Sequence, residues 1–418
     1  MPFDFLPLLL LFLFHSHIDQ AHPMECRGIP IDQMKTFKYQ SDQWKKPMEV
    51  KISEKEMHVF ANKIHIGFTG ANANLPKNKC VAIKIYNKNL SKDYENSAQI
   101  GNKIKEIDPK NEHIVSLIDY GKFDESNTLT NGGGFLTVLE LGERDLDGEV
   151  KYLRFLSPEG IKTMIKEIVK PLVAFHEVGI HLDFKPANLI VFEGMEEELP
   201  KTEEKKKSSK LSFFKKNNKI KEEKKKEEEQ KEREKEEKER EKRMKWEGKV
   251  IKLIDFDGSV QYLKGQQKGK VPHKSLIHTG YYAAPELQHL YKNSSKTDIL
   301  EVTPKMDIWS AGITILDHFK SKCKQMPEIA LLVRNMLNIE PEKRMTAKGI
   351  IDYLEGKCKP KEYEKNAEEI AQFVEESHEG LRKVMKEELH HFVSIDVTSK
   401  NVKDFLEELV KREKICDH

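Results

Sequence analysis

Between Met195 and Gly248 the chain carries almost no core-forming residue after Phe214, and this stretch limits how everything else can fold. Its second half, KEEKKKEEEQKEREKEEKEREKRMKW, sets opposite charges four residues apart but offers no apolar a/d seam. An isolated solvated helix and a disordered segment both fit that pattern, and a stable coiled coil is not expected. Such a segment cannot bury enough apolar surface to offset the entropy lost on ordering. The core must then come from the two globular pieces it separates, residues 48–194 and 249–358.

The first piece opens with strand patterns. KCVAIKIY and GGFLTVLEL are short β-rich runs, the second entered through Gly132, Gly133 and Gly134. Between them Ile100, Ile104 and Ile107 fall at helical spacing, and Pro109 ends that helix. Ser157 reads as an N-cap with Pro158 behind it, and Ile161, Ile165, Ile168, Leu172 and Phe175 predict a long amphipathic helix. Strands followed by helices indicate a two-lobed α+β protein. Lys+Arg 72 nearly cancel Asp+Glu 70, so the overall charge points to neither nucleic acid nor an acidic partner.

GIHLDFKPANLIVF, Gly179 to Phe192, places Asp183, Lys185 and Asn188 ahead of an apolar run. A polar turn leading into a strand accounts for this. So does a phosphoryl-transfer loop, in which an Asp takes a hydroxyl proton, a Lys steadies phosphate and an Asn holds a metal. The wider order of motifs favours the second reading: VAIK at 81–84, HLDFKPAN at 181–188, LIDFDG at 253–258, TGYYAAPE at 279–286, DIWSAG at 307–312 and EKRMTA at 342–347. Each is weak alone, but in this order they resemble the eukaryotic protein kinases over residues 48–358.

That resemblance implies a bilobal protein kinase fold, with a small β-rich lobe and a large helical lobe carrying a long charged insertion. It also implies transfer of the ATP γ-phosphate to serine or threonine hydroxyls of a protein substrate, with ATP and Mg2+ as cofactors. By the same resemblance Lys84 grips the α- and β-phosphates, and Asp183 orients the substrate hydroxyl and accepts its proton. Lys185 steadies the γ-phosphate, while Asn188 and Asp255 hold the metal ions. Lys185 and Thr279 match the serine/threonine form. Leu139 takes the gatekeeper position, and Glu140 to Gly142 offer backbone groups to adenine. Glu286 and Arg344 form a buried pair, and Asp307 anchors the catalytic loop.

Four positions depart from the family pattern. The phosphate loop is either IHIGFTGAN, with Gly67 and Gly70, or the glycine-free VFANKIHIGF. The small-lobe helix glutamate is replaced by Ser97, with Glu95 and Glu106 as rivals. Leu182 stands where an arginine would meet a phosphorylated activation loop, which predicts activity independent of that phosphorylation. Asp257 stands in place of a glycine. These departures keep a second reading open, a pseudokinase scaffold that binds partners through its lobes and insert.

Outside the matched region the expectations are coarser. KKKSSKLSFFKKNNK, residues 205–219, interleaves seven lysines with Leu211, Phe213 and Phe214; a solvated low-complexity linker accounts for it, and so does a segment suited to an anionic membrane or calmodulin. Residues 1–47 read as an apolar leader and linker, 195–248 as the insertion and 359–418 as a C-terminal helical extension. The run Phe5 to Phe14 is too short to span a bilayer but has the length of a secretory signal core. Five cysteines, at 26, 80, 323, 358 and 416, form no Cys-x-x-Cys pair, so neither a zinc site nor a disulfide framework is expected. This favours a cytoplasmic chain, with the secretory pathway as the alternative if residues 5–14 act as a signal.

Overall fold

The computed structural model describes residues 25–57, 63–70, 74–110, 112–124, 133–153, 156–193, 246–262, 266–323, 326–359 and 416–417. The apolar run at 5–14, the 205–219 segment and the C-terminal helical pattern lie outside these residues. The chain divides into two compact units, Met1–Tyr94 with Leu117–Leu141, and Glu95–Ser116 with Gly142–His418. Among the described residues no helix is long and apolar enough to cross a membrane.

The first unit is a closed antiparallel barrel of six strands: β1 (Lys35–Ser41), β2 (Pro47–Met57), β3 (Lys63–Phe68), β4 (Cys80–Asn87), β5 (Leu117–Phe123) and β6 (Gly134–Glu140). Their order around the barrel is β1-β2-β3-β4-β6-β5, and β5 returns to β1 through the pairs Gln40↔Lys122 and Ser41↔Gly121. Closure removes the free edges that an open sheet would expose. The inward positions supply one core that includes Phe37, Val50, Ile52, Val81, Ile83, Leu136 and Val138. At the closing seam a Cβ on Gly121 would strike the Gln40 carbonyl, so the two strands approach this closely only because residue 121 is glycine. Across the same region the hydroxyls of Tyr39 and Ser41 donate to the buried Asp119 carboxylate at 2.7 and 2.8 Å.

The boundary expected at residue 48 therefore moves toward the N-terminus. In β1 only Phe37, Tyr39 and Ser41 face inward, while Lys35, Thr36, Lys38 and Gln40 are exposed. Five of its seven residues are polar, which gives it the composition of a linker.

The cysteines need a second correction. Cys26 is bonded to Cys80, and Cys358 to Cys416. The partners lie 54 and 58 residues apart, so no local spacing reveals the pairs. Cys26 sits on a two-rung ladder, Glu25↔Pro30 and Cys26↔Ile29, and packs in a small cluster with Ile31, Met34, Ile66 and Phe68. At the other end the Cys416 N–H donates to the Lys359 carbonyl, and the Thr346 N–H to that of Asp417. In the chain-entropy model, closing a loop of this length stabilises by roughly 4 kcal/mol.

The second unit is mainly helical. Helix α1 (Ser91–Ile107) enters it from the first unit, and α2 (Leu146–Leu153), α3 (Pro158–Phe175), α4 (Pro285–Asn293), α5 (Lys305–Cys323), α6 (Pro327–Met336) and α7 (Ala347–Leu354) follow. Ser157 caps α3 by accepting from the Gly160 N–H at 3.1 Å, and the five apolar residues that predicted the helix are all buried. In α1, Ile100 and Ile104 are buried, whereas Ile107 is half-exposed at the helix end. A three-stranded sheet joins β7 (Arg144–Asp145), β8 (Leu189–Glu193) and β9 (Lys249–Leu253), with β8 in the middle. The β8–β9 register runs from Leu189↔Leu253 to Glu193↔Lys249, so the two sides of the charged stretch are direct neighbours.

Arg344 is fully buried, and its charge is met from all sides. Its guanidinium forks onto both Glu286 oxygens at 2.6 and 2.9 Å, its Nε donates to the Asn338 carbonyl at 2.7 Å, and Nη1 also reaches the Lys305 carbonyl at 2.8 Å. The Trp309 ring lies 5.0 Å from the guanidinium carbon. The Lys305 ammonium in turn donates to the Arg344 carbonyl. Burial, reinforced by the Arg344 charge, pushes the Lys305 pKa down to about 8, with Glu342 opposing. Removing one partner of a buried ion pair strands the other, typically at about 3–5 kcal/mol. Glu286→Gln is expected to lose stability in that range in a urea titration.

Candidate active site

The site in the second unit begins from one carboxylate. Asp307, near the start of α5, has no solvent exposure. Its Oδ2 accepts from the His181 N–H at 2.8 Å and from His176 Nε2 at 3.1 Å, and its Oδ1 accepts from the Leu182 N–H at 2.8 Å. Two consecutive backbone donors on one carboxylate fix the turn ahead of Asp183. Leu182 takes φ 66, a left-handed conformation uncommon for a branched side chain. His181 Nε2 lies 2.9 Å from the Ile254 carbonyl, which can only accept, so the proton is assigned to Nε2. Nδ1 is then free to accept from the Asp183 N–H at 3.3 Å.

On this base three side chains close a triangle. The Thr279 hydroxyl donates to Asp183 Oδ1 at 2.7 Å, the Lys185 ammonium donates to Asp183 Oδ2 at 2.7 Å, and the same ammonium donates to Thr279 Oγ1 at 2.8 Å. Asn188 turns its amide nitrogen toward Asp183, donating to the carbonyl at 2.9 Å and to Oδ2 at 3.3 Å. That orientation leaves the Asn188 oxygen without a hydrogen-bond partner among the described residues. The Ile254 N–H donates to the Asn188 carbonyl at 3.0 Å, so Asp255 leaves one strand of the β8–β9 hairpin as Asn188 enters the other. Asp255 also takes a left-handed backbone, φ 68. His278, next to Thr279, is held below the ordinary imidazole range by burial, and the Asp183 charge opposes that shift.

Asn188 and Asp255 suit a hard cation. Magnesium keeps several waters and takes only one or two protein oxygens beside phosphate. A carboxylate and an amide oxygen at the open end of one hairpin, just beyond the Leu189↔Leu253 rung, are donors of that kind. A dedicated cage is not needed, and among the described residues no cluster of three or more His, Cys, Asp or Glu could form one.

One contributor escaped the sequence reading. Asn96 on α1 spreads its amide hydrogens over three carbonyls, those of Phe256 at 3.1 Å, Asp257 at 3.1 Å and Ser259 at 2.8 Å. The helix thus holds the segment after Asp255 through a neutral amide. Of the three candidates for the missing glutamate, Ser97 is buried while Glu95 and Glu106 are exposed. A polar residue of modest helix propensity inside a helix, one position before Ser97, was the signal available.

The other expected site residues fall as follows. Lys84 sits in the middle of β4, buried, opposite Ile64 and Thr137, with its ammonium 5.2 Å from the Tyr86 ring centre. Glu140 ends β6. Gly142 lies against Ile190 and Phe192, where a Cβ would collide with both side chains. Gly67 and Gly70 do not form a phosphate loop. Gly67 is inside β3, paired to Ile52 and Val81, where a Cβ would strike Ile83. Gly70, at φ 61, shapes the turn between β3 and β4, and its carbonyl accepts from the Asn78 N–H at 2.7 Å. Strand packing and turn geometry account for these two glycines, and residues 58–62, between β2 and β3, lie outside the described residues.

A family model described as the protein kinase domain matches residues 67–414, and the chain belongs to the protein kinase family. No curated protein matches it.

Asn96→Ala removes the donor from three carbonyls at once. A loss of about 1–3 kcal/mol is expected, with faster amide exchange across residues 256–259 in hydrogen-exchange mass spectrometry. Unchanged exchange there would show that Asn96 does not hold the segment.

Proposed function

We propose that this protein kinase transfers the γ-phosphate of ATP, with Mg2+, to serine or threonine hydroxyls of protein substrates. The observation that carries the reading is the triangle of Asp183, Lys185 and Thr279, with contacts of 2.7–2.8 Å. Thr279 and Asn188 orient the Asp183 carboxylate, which receives the proton of the incoming hydroxyl. As that oxygen bonds to the γ-phosphorus, the bond from phosphorus to the β-bridging oxygen breaks and ADP leaves. The Lys185 ammonium places positive charge where the transferred group becomes most negative. Asn188 and Asp255 would hold magnesium, which when bound neutralises phosphate charge. Lys84 would meet the α- and β-phosphates, and backbone groups of Glu140 to Gly142 would meet adenine beside Leu139.

In this reading the two compact units are the small and large lobes, and residues 195–248 leave the large lobe between β8 and β9. Leu182, buried where the family places an arginine, supports activity that needs no phosphate on the activation segment. The pseudokinase scaffold is the competing reading, favoured by Ser97 at the position of the helix glutamate.

The decisive comparison is phosphate transfer to a mixed serine/threonine peptide library by the wild-type chain and by Asp183→Asn. Losing a general base lowers rates about 10²–10⁴-fold, and a drop of that order is expected. Equal background in both proteins would overturn the enzyme reading and leave the scaffold. Thr279→Val should lower kcat while leaving the KM for ATP nearly unchanged, because the hydroxyl touches Asp183 and Lys185 only.

A further inference from the structure

Two features that catalysis does not use bear on where the chain matures. The first is the pair of disulfides, Cys26–Cys80 and Cys358–Cys416. Each fastens a short piece to the body of its unit: a two-rung ladder at residues 25–30, and Cys416 with Asp417. A two-stranded hairpin alone is marginal in water. Cys26 and Cys358 have no solvent exposure and Cys416 has 4 %, which suits permanent cross-links better than exchanging ones. Structural disulfides are rare where glutathione and thioredoxin keep thiols reduced.

The second feature is independent. Asn89-Leu90-Ser91 is an Asn-x-Ser triplet, the acceptor pattern for N-linked glycans. Asn89 is exposed, in the 3-10 turn Lys88–Leu90 between β4 and α1. Its side chain makes no hydrogen bond among the described residues, so a sugar there displaces nothing. A second triplet, Asn293-Ser294-Ser295, ends α4, but its groups are engaged. Asn293 Nδ2 donates to the His289 carbonyl at 3.0 Å, Ser294 donates to the Leu290 carbonyl, and Ser295 donates to Asp298 at 2.8 Å.

We propose that the chain folds in an oxidising, glycan-attaching compartment, where both disulfides form and Asn89 receives an N-linked oligosaccharide. For each disulfide, two thiols give up two protons and two electrons to the disulfide of an oxidoreductase, which leaves as a dithiol. At Asn89 a bond forms between Nδ2 and the anomeric carbon of a lipid-diphosphate-linked oligosaccharide. The bond from that carbon to the diphosphate breaks, Nδ2 loses one proton, and the lipid diphosphate departs. The apolar run Phe5 to Phe14 has the composition of an entry signal. The assignment stands apart from phosphoryl transfer and survives a failure of that reading.

The test is cell-free translation of the full chain with and without microsomes, as wild type, Asn89→Gln and Asn293→Gln. The expected result is one microsome-dependent upward shift, removed by an N-glycosidase, absent in Asn89→Gln and kept in Asn293→Gln. Non-reducing peptide maps of the protease-protected chain should contain the Cys26–Cys80 and Cys358–Cys416 cross-links. No protected chain, or free thiols at Cys26 and Cys358 within it, would overturn the compartment. A protected, cross-linked chain with no shift, or with a shift that survives Asn89→Gln, would overturn the glycan site.

Discussion

A carboxylate that never meets water holds the loop of His181, Leu182 and Asp183 in place. Moving an ion into a protein interior costs several kcal/mol unless fixed donors replace its water. Asp307 recovers that cost from the N–H groups of His181 and Leu182 and from His176. Because two of the three donors are consecutive backbone groups, the carboxylate dictates backbone shape. It holds Leu182 in the left-handed region, a strain of order 1–3 kcal/mol that only a well-determined surrounding can sustain. His181 transmits the same constraint to Ile254, and so to the strand that ends in Asp255. Asp183 and Asp255 are therefore presented by one connected hydrogen-bond system.

The segment between Asp255 and Thr279 is ordered mostly through backbone groups. Asn96 takes its start by three carbonyls, and Gly269–Pro272 pairs with Ile299–Val302 in a four-rung antiparallel ladder. Its end is fixed where Thr279 touches Asp183. The His273 ring stacks on Tyr291 at 4.6 Å, and the His273 N–H donates to the Asp298 carbonyl, which extends the ladder past its last rung. An arginine in place of Leu182 would bring a charge that needs an anion, whereas ladder bonds need none. Leucine at a 2 % exposed position is consistent with order that owes nothing to a phosphate.

The sequence revealed most where ordered motifs set particular residue types at particular intervals. Asp183, Lys185 and Asn188 share one loop, and Lys185 and Asn188 both bond to Asp183, so their spacing was informative before any coordinates. Thr279 and Asp307 were legible because ordered motifs located them. Illegible were interactions whose partners carry no local pattern. Cys26 and Cys80 are 54 residues apart, and no local spacing links them. Strand β1 sets only Phe37 and Tyr39 among five polar residues, so its composition resembles that of a linker. Gly67 misled for a related reason. A glycine required by the bulk of Ile83 on the next strand cannot be told, in sequence, from one required by a phosphate.

That ambiguity bears on how the chain's departures from its family should be weighed. A lost glycine or glutamate looks like decay when each position is judged alone. The contacts around Asp183 give a different measure, because they depend on one another. Lys185 without Thr279 would lose a hydrogen-bond acceptor, and Thr279 without Asp183 would lose the acceptor of its own hydrogen. Stability alone gives little reason for all three at 2.7–2.8 Å, since a partly buried lysine–carboxylate pair contributes little net stability. The triangle is the arrangement that the proposed transfer would use, and Asn96, next to Ser97, holds the segment after Asp255 through three carbonyls.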